Sequence, residues 1–228
     1  MLTGNFKGFF LFTGIILIHE LGHVIGALYY KWNIEKIILL PFGALTIFHE
    51  KLNRPLKEEF VILILGPLFQ IIGVSIIYLF YPSGDMVSYS NLILAFNLLP
   101  IVPLDGSKLM NIILNKLTNF KKSHLWTIYI SVLTIIILLL KIELSLIIIL
   151  IILFILIKLI EEVKNHNNIF NLFLLERCTN KFNFKKRKII KGKDVEKIKK
   201  DYVHLFYTDK YHTEKEILRE RFDFTRKM

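Results

Sequence analysis

The feature that most constrains this sequence is the stretch over residues 60–81, which contains no charged side chain at all. A helix needs about 20 predominantly apolar residues to cross a lipid bilayer, and this stretch is long enough. Three more long apolar stretches occupy residues 8–30, 89–117 and 125–160. Hydrophobic residues make up 54% of the chain, against roughly 45–50% in soluble domains, which disfavours a purely soluble protein. The pattern predicts a mainly α-helical integral membrane protein.

The apolar stretches differ in continuity, and this difference sets the expected number of spans. Residues 125–160 are long enough for two shorter helices with a turn near 141–143. Residues 89–117 are interrupted by Pro100 and Pro103, which predicts a broken span that protein or a wet cavity must cover. We therefore expect a polytopic, multi-pass protein with about five transmembrane helices.

Two segments outside these spans predict a small amount of β-structure. Residues 33–49 are too short and too interrupted to cross the bilayer, so we expect a short re-entrant β-hairpin there. Beyond Asn165 the alternation of apolar and charged residues favours a small soluble β-α-β-α module. We accordingly divide the chain into a transmembrane domain, residues 1–163, and a tail with a small α/β fold, residues 164–228.

The charge of the chain is concentrated in its tail. Residues 1–163 carry 12 basic and 10 acidic side chains, whereas residues 164–228 carry 18 and 9, so that +9 of the net +11 lies in the tail. Basic residues accumulate on the cytoplasmic side of membrane proteins, which predicts a cytoplasmic tail and an amino terminus outside. The basic run over residues 185–188 is typical of a segment that faces water or anionic lipid, so we expect no direct nucleic-acid partner.

The first apolar stretch carries the pattern His-Glu-x-x-His at His19, Glu20 and His23. On a helix this spacing places two imidazoles on one face, where they can share one Zn²⁺, with the glutamate beside the metal as a base for its bound water. Ionisable groups in the middle of a span are costly and usually mark a functional site. Two histidines that are merely satisfied in a core would not explain Glu20.

Two histidines leave zinc in need of a third protein ligand, with the fourth position open for water. The single cysteine, Cys178, excludes a Cys-rich site. The other five histidines fall in predicted loops or in the tail: His49, His124, His166, His204 and His212. Asp105 is the acidic candidate, because the preceding prolines break the helix and Gly106 permits a tight turn, although these residues also suit a simple kink.

The residues at 19–23, together with Asn97, Pro100, Pro103 and the Leu-Asp-Gly sequence at 104–106, resemble the site-2 protease family of intramembrane zinc metalloproteases. The resemblance is strongest to the bacterial sporulation branch of that family and covers roughly residues 10–180. Supporting motifs occupy residues 39–43, 53–59, 66–67 and 173–177.

The resemblance implies a zinc metalloendopeptidase with His19, His23 and Asp105 as zinc ligands and Glu20 as the catalytic acid and base. Asn97 would hold the substrate or the developing oxyanion, or would only interrupt its helix. The hairpin would offer an edge strand to an unwound substrate, or would only form a turn. The substrate-binding positions implied in this way are Pro41, Phe42, Gly43, Asn97 and Pro103.

The resemblance also implies biological partners. The substrate would be a membrane-tethered protein, namely the pro-form of a sporulation sigma factor, cut near the cytosolic face of the mother-cell membrane around the forespore. Inhibitory membrane proteins would regulate the enzyme, and a homo-oligomer is an open alternative to a monomer. Family members often end in a nucleotide-binding module of the cystathionine-β-synthase type (CBS), for which residues 164–228 would be a reduced version.

Two other function classes remain open on the sequence. A membrane metal-ion transporter would use the same histidines and acid, but it would need polar groups along a pathway, and here they form one cluster. A non-catalytic scaffold descended from the protease would have no need of the intact catalytic set.

Overall fold

The computed structural model describes residues 6–40, 43–48, 51–143 and 145–222. In chain order the helices are α1 (Phe6–Tyr29), α2 (Leu56–Phe80), α3 (Gly84–Asn97), α4 (Asp105–Leu117), α5 (Phe120–Leu139), α6 (Leu146–Thr179) and α7 (Glu214–Phe222). The strands are β1 (Ile34–Leu40), β2 (Gly43–Phe48), β3 (Lys186–Lys191), β4 (Tyr202–Tyr207) and β5 (Tyr211–Thr213), and a short 3-10 helix spans Val195–Lys197. The expected mainly helical fold with a small amount of sheet is confirmed.

Within the described residues, three helices are long and apolar enough to cross a membrane: α1 from Lys7, α2 and α5. The predicted break in the third apolar stretch lies between the end of α3 at Asn97 and the start of α4 at Asp105. The predicted turn near 141–143 lies between α5 and α6. The chain is therefore a helical membrane protein, and the count of about five spans stays a prediction.

Residues 1–50, 57–100 and 104–109 form one compact unit. Its apolar core joins α1, α2 and α3 through Ile15, Ile16, Val74, Met86 and Ile93. Other apolar side chains of α1 point outwards, with Leu17 48% and Leu28 62% exposed. A helix that buries one apolar face and exposes another suits contact with lipid better than contact with water.

The strands β1 and β2 form an antiparallel pair, with Ile34 opposite Phe48 and Leu40 opposite Gly43. The strand β2 lies beside α1 in the same unit. The expected strand pair is therefore present, and its re-entrant character stays a prediction. Pro41 and Phe42, at the predicted turn, lie outside the described residues.

Residues 51–56, 101–103 and 110–228 form the second compact unit. The rings of Phe120 on α5 and Phe173 on α6 stack at a centroid distance of 3.8 Å. Around this pair the core collects side chains from α6, β3, the 3-10 helix and the residue after it, β4 and α7, namely Phe170, Leu174, Ile190, Val195, Ile198, Phe206, Ile217 and Leu218. The described part of the tail thus shares one core with the helices that precede it.

The sheet of the tail has the order β3-β4-β5, with β3 parallel to β4 and β5 antiparallel to β4. The β-α-β-α prediction is wrong in its first helix, which is only the 3-10 helix at Val195–Lys197. Residues 192–201 are a shorter connection than the dozen or more residues that a helical crossover between parallel strands takes. The last helix of the prediction corresponds to α7.

Candidate metal centre

The helix α1 presents His19 and His23 one turn apart, on the side where their rings contact Ile62 and Gln70 of α2 and Asp105 at the start of α4. Both side chains are buried, with His19 1% and His23 4% exposed. Side chains four residues apart lie above one another on a helix, so the two imidazole Nε2 atoms come within 3.2 Å. A single helix therefore brings two imidazole nitrogens, both able to bind a metal ion, to one point.

The carboxylate of Asp105, the first residue of α4, meets these nitrogens. Its Oδ2 atom lies 3.1 Å from His19 Nε2 and 2.9 Å from His23 Nε2. The Nζ atom of Lys108 lies 3.2 Å from Oδ1, the other oxygen of the same carboxylate. Asp105 thus offers one oxygen to the histidines while Lys108 holds the other.

Two glycines permit this close approach. A Cβ atom at Gly106 would collide with the carbonyl oxygens of Leu98 and Leu99, so α4 can begin this close to the end of α3 only without a side chain there. A Cβ atom at Gly66 on α2 would collide with the imidazole of His23. Both glycines are therefore required by space at this site, not by a left-handed backbone conformation.

The hydrogen bonds behind the imidazoles determine which ring nitrogen carries the proton. The Nδ1 atom of His23 lies 2.9 Å from the carbonyl oxygen of Ile62, which can only accept, so Nδ1–H is the donor. The Nδ1 atom of His19 lies 2.8 Å from Oε1 of Gln70, which also accepts. Each neutral imidazole therefore turns the lone pair of its Nε2 atom towards the other two groups.

The site consequently brings together three acceptor atoms, the two Nε2 atoms and Oδ2 of Asp105, and needs a cation among them. A proton can bridge only two of these atoms, whereas a metal ion can be shared by all three. Bonds of about 2.0–2.1 Å around tetrahedral zinc place its ligands about 3.3 Å apart, close to the spacing of these three atoms. Among the described residues this is the one group of three or more such side chains that could hold a metal ion.

Glu20 follows the first ligand on α1 and is also buried, with 7% of its surface exposed. A buried carboxylate next to a metal-binding face suits a group that exchanges a proton with a metal-bound water. The position of Glu20 beside this face follows from helix α1, because the residue lies between His19 and His23 in the sequence.

The other predicted site residues that the structure describes are Asn97, Pro103 and Gly43. Asn97 is the last residue of α3 and is partly buried. Pro103 lies in the connection before α4, and Gly43 begins β2. Pro41 and Phe42 are outside the described residues.

The structure corrects the expectation for His124, which lies on α5 and not in a loop. Its Nδ1 atom is 2.6 Å from Nδ1 of His166, which lies on α6 within the tail residues 164–228. Sequence reasoning also did not identify Gln70 or Lys108 as neighbours of the ligands. A lone amide in the uncharged stretch 60–81 indicates that Gln70 has a polar partner, because polar groups in a span usually have one, but it does not indicate which residue that partner is.

The sequence and the structure are similar to those of known proteases. The profile of peptidase family M50 matches residues 7–88, which include the His-Glu-x-x-His pattern but not Asp105. The chain is 36% identical to stage IV sporulation protein FB of Bacillus subtilis over 191 residues, 78% of this chain and 66% of that protein. It is 37% identical to a zinc metalloprotease of Methanocaldococcus jannaschii over 124 residues, 50% of this chain and 35% of that protein.

One solved structure is similar over most of its length. The site-2 protease from Methanocaldococcus jannaschii superimposes with a TM-score of 0.51 at 31% sequence identity, covering 67% of this chain and 75% of that one. The chain spans about two thirds of the sporulation protein and about a third of the archaeal metalloprotease compared by sequence.

Proposed function

The chain belongs to the site-2 protease family, peptidase family M50, and on that premise we propose that it is a zinc metalloendopeptidase that cuts a membrane-tethered protein within or near the bilayer. The observation that carries this proposal is the convergence of the Nε2 atoms of His19 and His23 and of Oδ2 of Asp105 within 3.2 Å of one another. Three such atoms beside a buried glutamate are the parts that a zinc-dependent hydrolase needs.

In this proposal His19, His23 and Asp105 hold the metal, and Glu20 acts as general base and then as general acid. Bound zinc would lower the pKa of a water molecule and polarise the carbonyl of the peptide bond to be cut. Glu20 accepts a proton from the water and returns it to the leaving amine. The burial of the site excludes bulk water, which strengthens each electrostatic interaction in it.

The substrate must reach this site as an extended chain, because the peptide bonds of a helix are shielded by their own hydrogen bonds. The pair β1–β2 lies beside α1 and suits the addition of a substrate strand. We assign substrate contacts to Pro41, Phe42 and Gly43, and to Asn97 and Pro103, which precede α4 in the chain.

The biological setting is proposed from the relative of known role. The similarity to a stage IV sporulation protein supports a role in sporulation. The proposed substrate is the pro-form of a sigma factor, and the proposed regulators are inhibitory membrane proteins. The enzyme would reside in the mother-cell membrane around the forespore, and it has no direct nucleic-acid partner.

The proposed topology has about five spans, an outside amino terminus and a cytoplasmic tail. Residues 1–163 form the transmembrane protease domain and residues 164–228 the basic tail. The net charge of +11, most of it in the tail, supports this orientation.

The experiment that tests the function compares wild type with Glu20→Gln, each co-expressed with a pro-sigma factor in bacterial membranes. The variant removes the base and leaves the metal ligands in place. We expect cleavage by wild type and a loss of about 10²–10⁴-fold in Glu20→Gln with zinc retained. Glu143→Gln, in the exposed turn after α5, is the matched control and should cleave like wild type.

Equal cleavage by wild type and Glu20→Gln would contradict the catalytic role of Glu20. Zinc binding by wild type with no cleavage of any tethered substrate would favour a metal-ion transporter or a scaffold instead.

A further inference from the structure

Gln70 lies in the middle of α2 and is fully buried, although it belongs to the uncharged stretch 60–81. Its amide makes three contacts. The Oε1 atom is 2.8 Å from His19 Nδ1, and Nε2 is 2.9 Å from the carbonyl oxygen and 3.0 Å from Oγ of Ser90 on α3. One side chain therefore joins α1, α2 and α3.

The carbonyl of Ser90 fixes the orientation of this amide. A carbonyl oxygen only accepts hydrogen bonds, so the NH₂ group of Gln70 must face Ser90 and its oxygen must face His19. The opposite orientation would place two acceptors, the Gln70 oxygen and the Ser90 carbonyl, against each other.

The fixed amide in turn fixes the histidine. Because Oε1 of Gln70 accepts, Nδ1 of His19 must donate, and the lone pair of its Nε2 atom points towards Asp105. His23 is held in the same tautomer by the backbone carbonyl of Ile62, which no substitution removes. Of the two histidine tautomers, the one that a side chain controls is therefore that of His19.

We propose that Gln70 is a positioning residue, which sets the tautomer and the ring orientation of His19 for metal binding and is itself held by Ser90. This inference rests on the proposed metal-dependent function and assigns it a further residue. Partners of this kind typically change metal affinity or activity by about 10–100-fold when they are lost.

The test measures the zinc affinity of the purified full chain by competition with a chelator, without substrate. Gln70→Met keeps the volume and removes the acceptor, and it should weaken zinc binding by about 10–100-fold. Gln70→Glu keeps an acceptor for His19 Nδ1, and its carboxyl group can donate to the Ser90 carbonyl when protonated, so it should bind zinc more tightly than Gln70→Met. Ser90→Ala removes the hydroxyl that contacts the Gln70 amide but leaves the backbone carbonyl of residue 90. Its loss of zinc affinity should therefore be smaller than that of Gln70→Met.

Ser75→Ala, on an exposed part of α2, is the control and should bind zinc like wild type. Circular dichroism and thermal melting establish that each variant is folded. Wild-type affinity in folded Gln70→Met, or an equal loss in Gln70→Met and Gln70→Glu, would overturn the role of Gln70. Failure of wild type itself to bind zinc would instead overturn the proposed function, so the two failures are distinguishable.

Discussion

Two buried polar clusters of this protein differ in how their donors and acceptors are matched. In the metal centre three acceptor atoms face one another. In the second unit, Asn53, Glu176, Arg177, His204 and Glu214 form a cluster, here called the Arg177 cluster, in which all three nitrogens of the arginine donate to acceptors. A mismatch of buried acceptors indicates a place for a cation, whereas a matched network indicates a structural role.

The guanidinium of Arg177 is the centre of the matched cluster. Its Nε atom donates to Asn53 Oδ1 at 2.7 Å, and its two terminal nitrogens donate to the carbonyls of Tyr202 and Lys199 at 2.8 and 3.0 Å. The carboxylate of Glu214 accepts from the same group at 3.0 and 3.1 Å. Residues from the loop before α2, from α6 and from the tail are thereby tied together.

His204 shows that a fixed tautomer alone does not make a metal site. The backbone N–H of Lys199 donates to its Nε2 atom at 3.2 Å, so its Nδ1 atom donates to Glu214 at 2.6 Å. Both nitrogens of this ring are occupied by protein groups. In His19 and His23 only Nδ1 is occupied in this way, and Nε2 faces the other imidazole and Oδ2 of Asp105.

The largest effect on stability is expected when the arginine of the Arg177 cluster is replaced. Arg177→Met leaves the carboxylate of Glu214 buried without its main cation, so it should lower the free energy of unfolding by about 3–5 kcal/mol. Denaturant titration of the purified chain checks this value. A change below about 1 kcal/mol would show that the cluster is not a structural element.

A smaller effect is expected from added volume at the metal centre. Gly66→Ala introduces a Cβ atom against the imidazole of His23, so it should destabilise the protein by about 1–3 kcal/mol and weaken zinc binding. Thermal melting and chelator competition measure the two effects. Unchanged zinc affinity would show that the ring can move aside at no cost to the site.

The contribution of the Arg177 cluster to stability should also depend on pH. Burial lowers the pKa of His204 below its ordinary value of 6.5, against the opposing effect of Glu214. Burial would raise the pKa of Glu214, but the hydrogen bond from His204 and the charge of Arg177 take it below its ordinary value of 4.5. The contribution of both groups to stability is therefore complete above pH 6.5 and decreases as the pH falls.

Hydrogen exchange in β4 and α7 checks this sign. Protection should fall as the pH is lowered below 6.5, by no more than about 1.4 kcal/mol per pH unit for one group. His204→Asn keeps a donor near Glu214 and removes the titrating ring, so the decline in this range should disappear. Protection that rises as the pH falls would contradict the assignment.

The smallest effect on stability is expected at Asp105, although its effect on metal binding is large. Asp105→Asn replaces one of three facing acceptors with a group that can donate, so the metal-free protein should change by less than about 0.5 kcal/mol or become more stable. Melting curves with and without chelator measure this. A loss of several kcal/mol in the metal-free protein would place Asp105 in the structural class of Arg177.

The sequence predicts those parts of the molecule that depend on the spacing of residues close together in the chain. His19 and His23 share a helix face wherever the helix lies in the fold, because they are four residues apart. The break before Asp105 follows from two prolines. The structure brings these three predicted ligands together, and their role in binding zinc stays a prediction. The interruptions of the apolar stretches and the strand pair β1–β2 could be predicted for the same reason.

The partners that arise from distant contacts could not be predicted. The hydrogen bond between Gln70 and His19 joins residues that are 51 positions apart in the chain, and the one between Arg177 and Asn53 joins residues 124 positions apart. The motifs at residues 53–59 and 173–177 are visible in the sequence, but no local pattern indicates that they contact each other. The wrong helix in the tail has a related cause, because the length of the connection between parallel strands overrode the local pattern at Val195–Lys197.

The measurement that tests the central claim most directly is the zinc content of the purified full chain. Mass spectrometry of the metal compares wild type with a variant in which His19, His23 and Asp105 are all replaced by Ala, after both have been supplied with zinc. We expect one zinc per chain in wild type and none in the variant, whose helical content should be unchanged. Zinc retained by the variant, or a folded wild type that binds none, would contradict this claim.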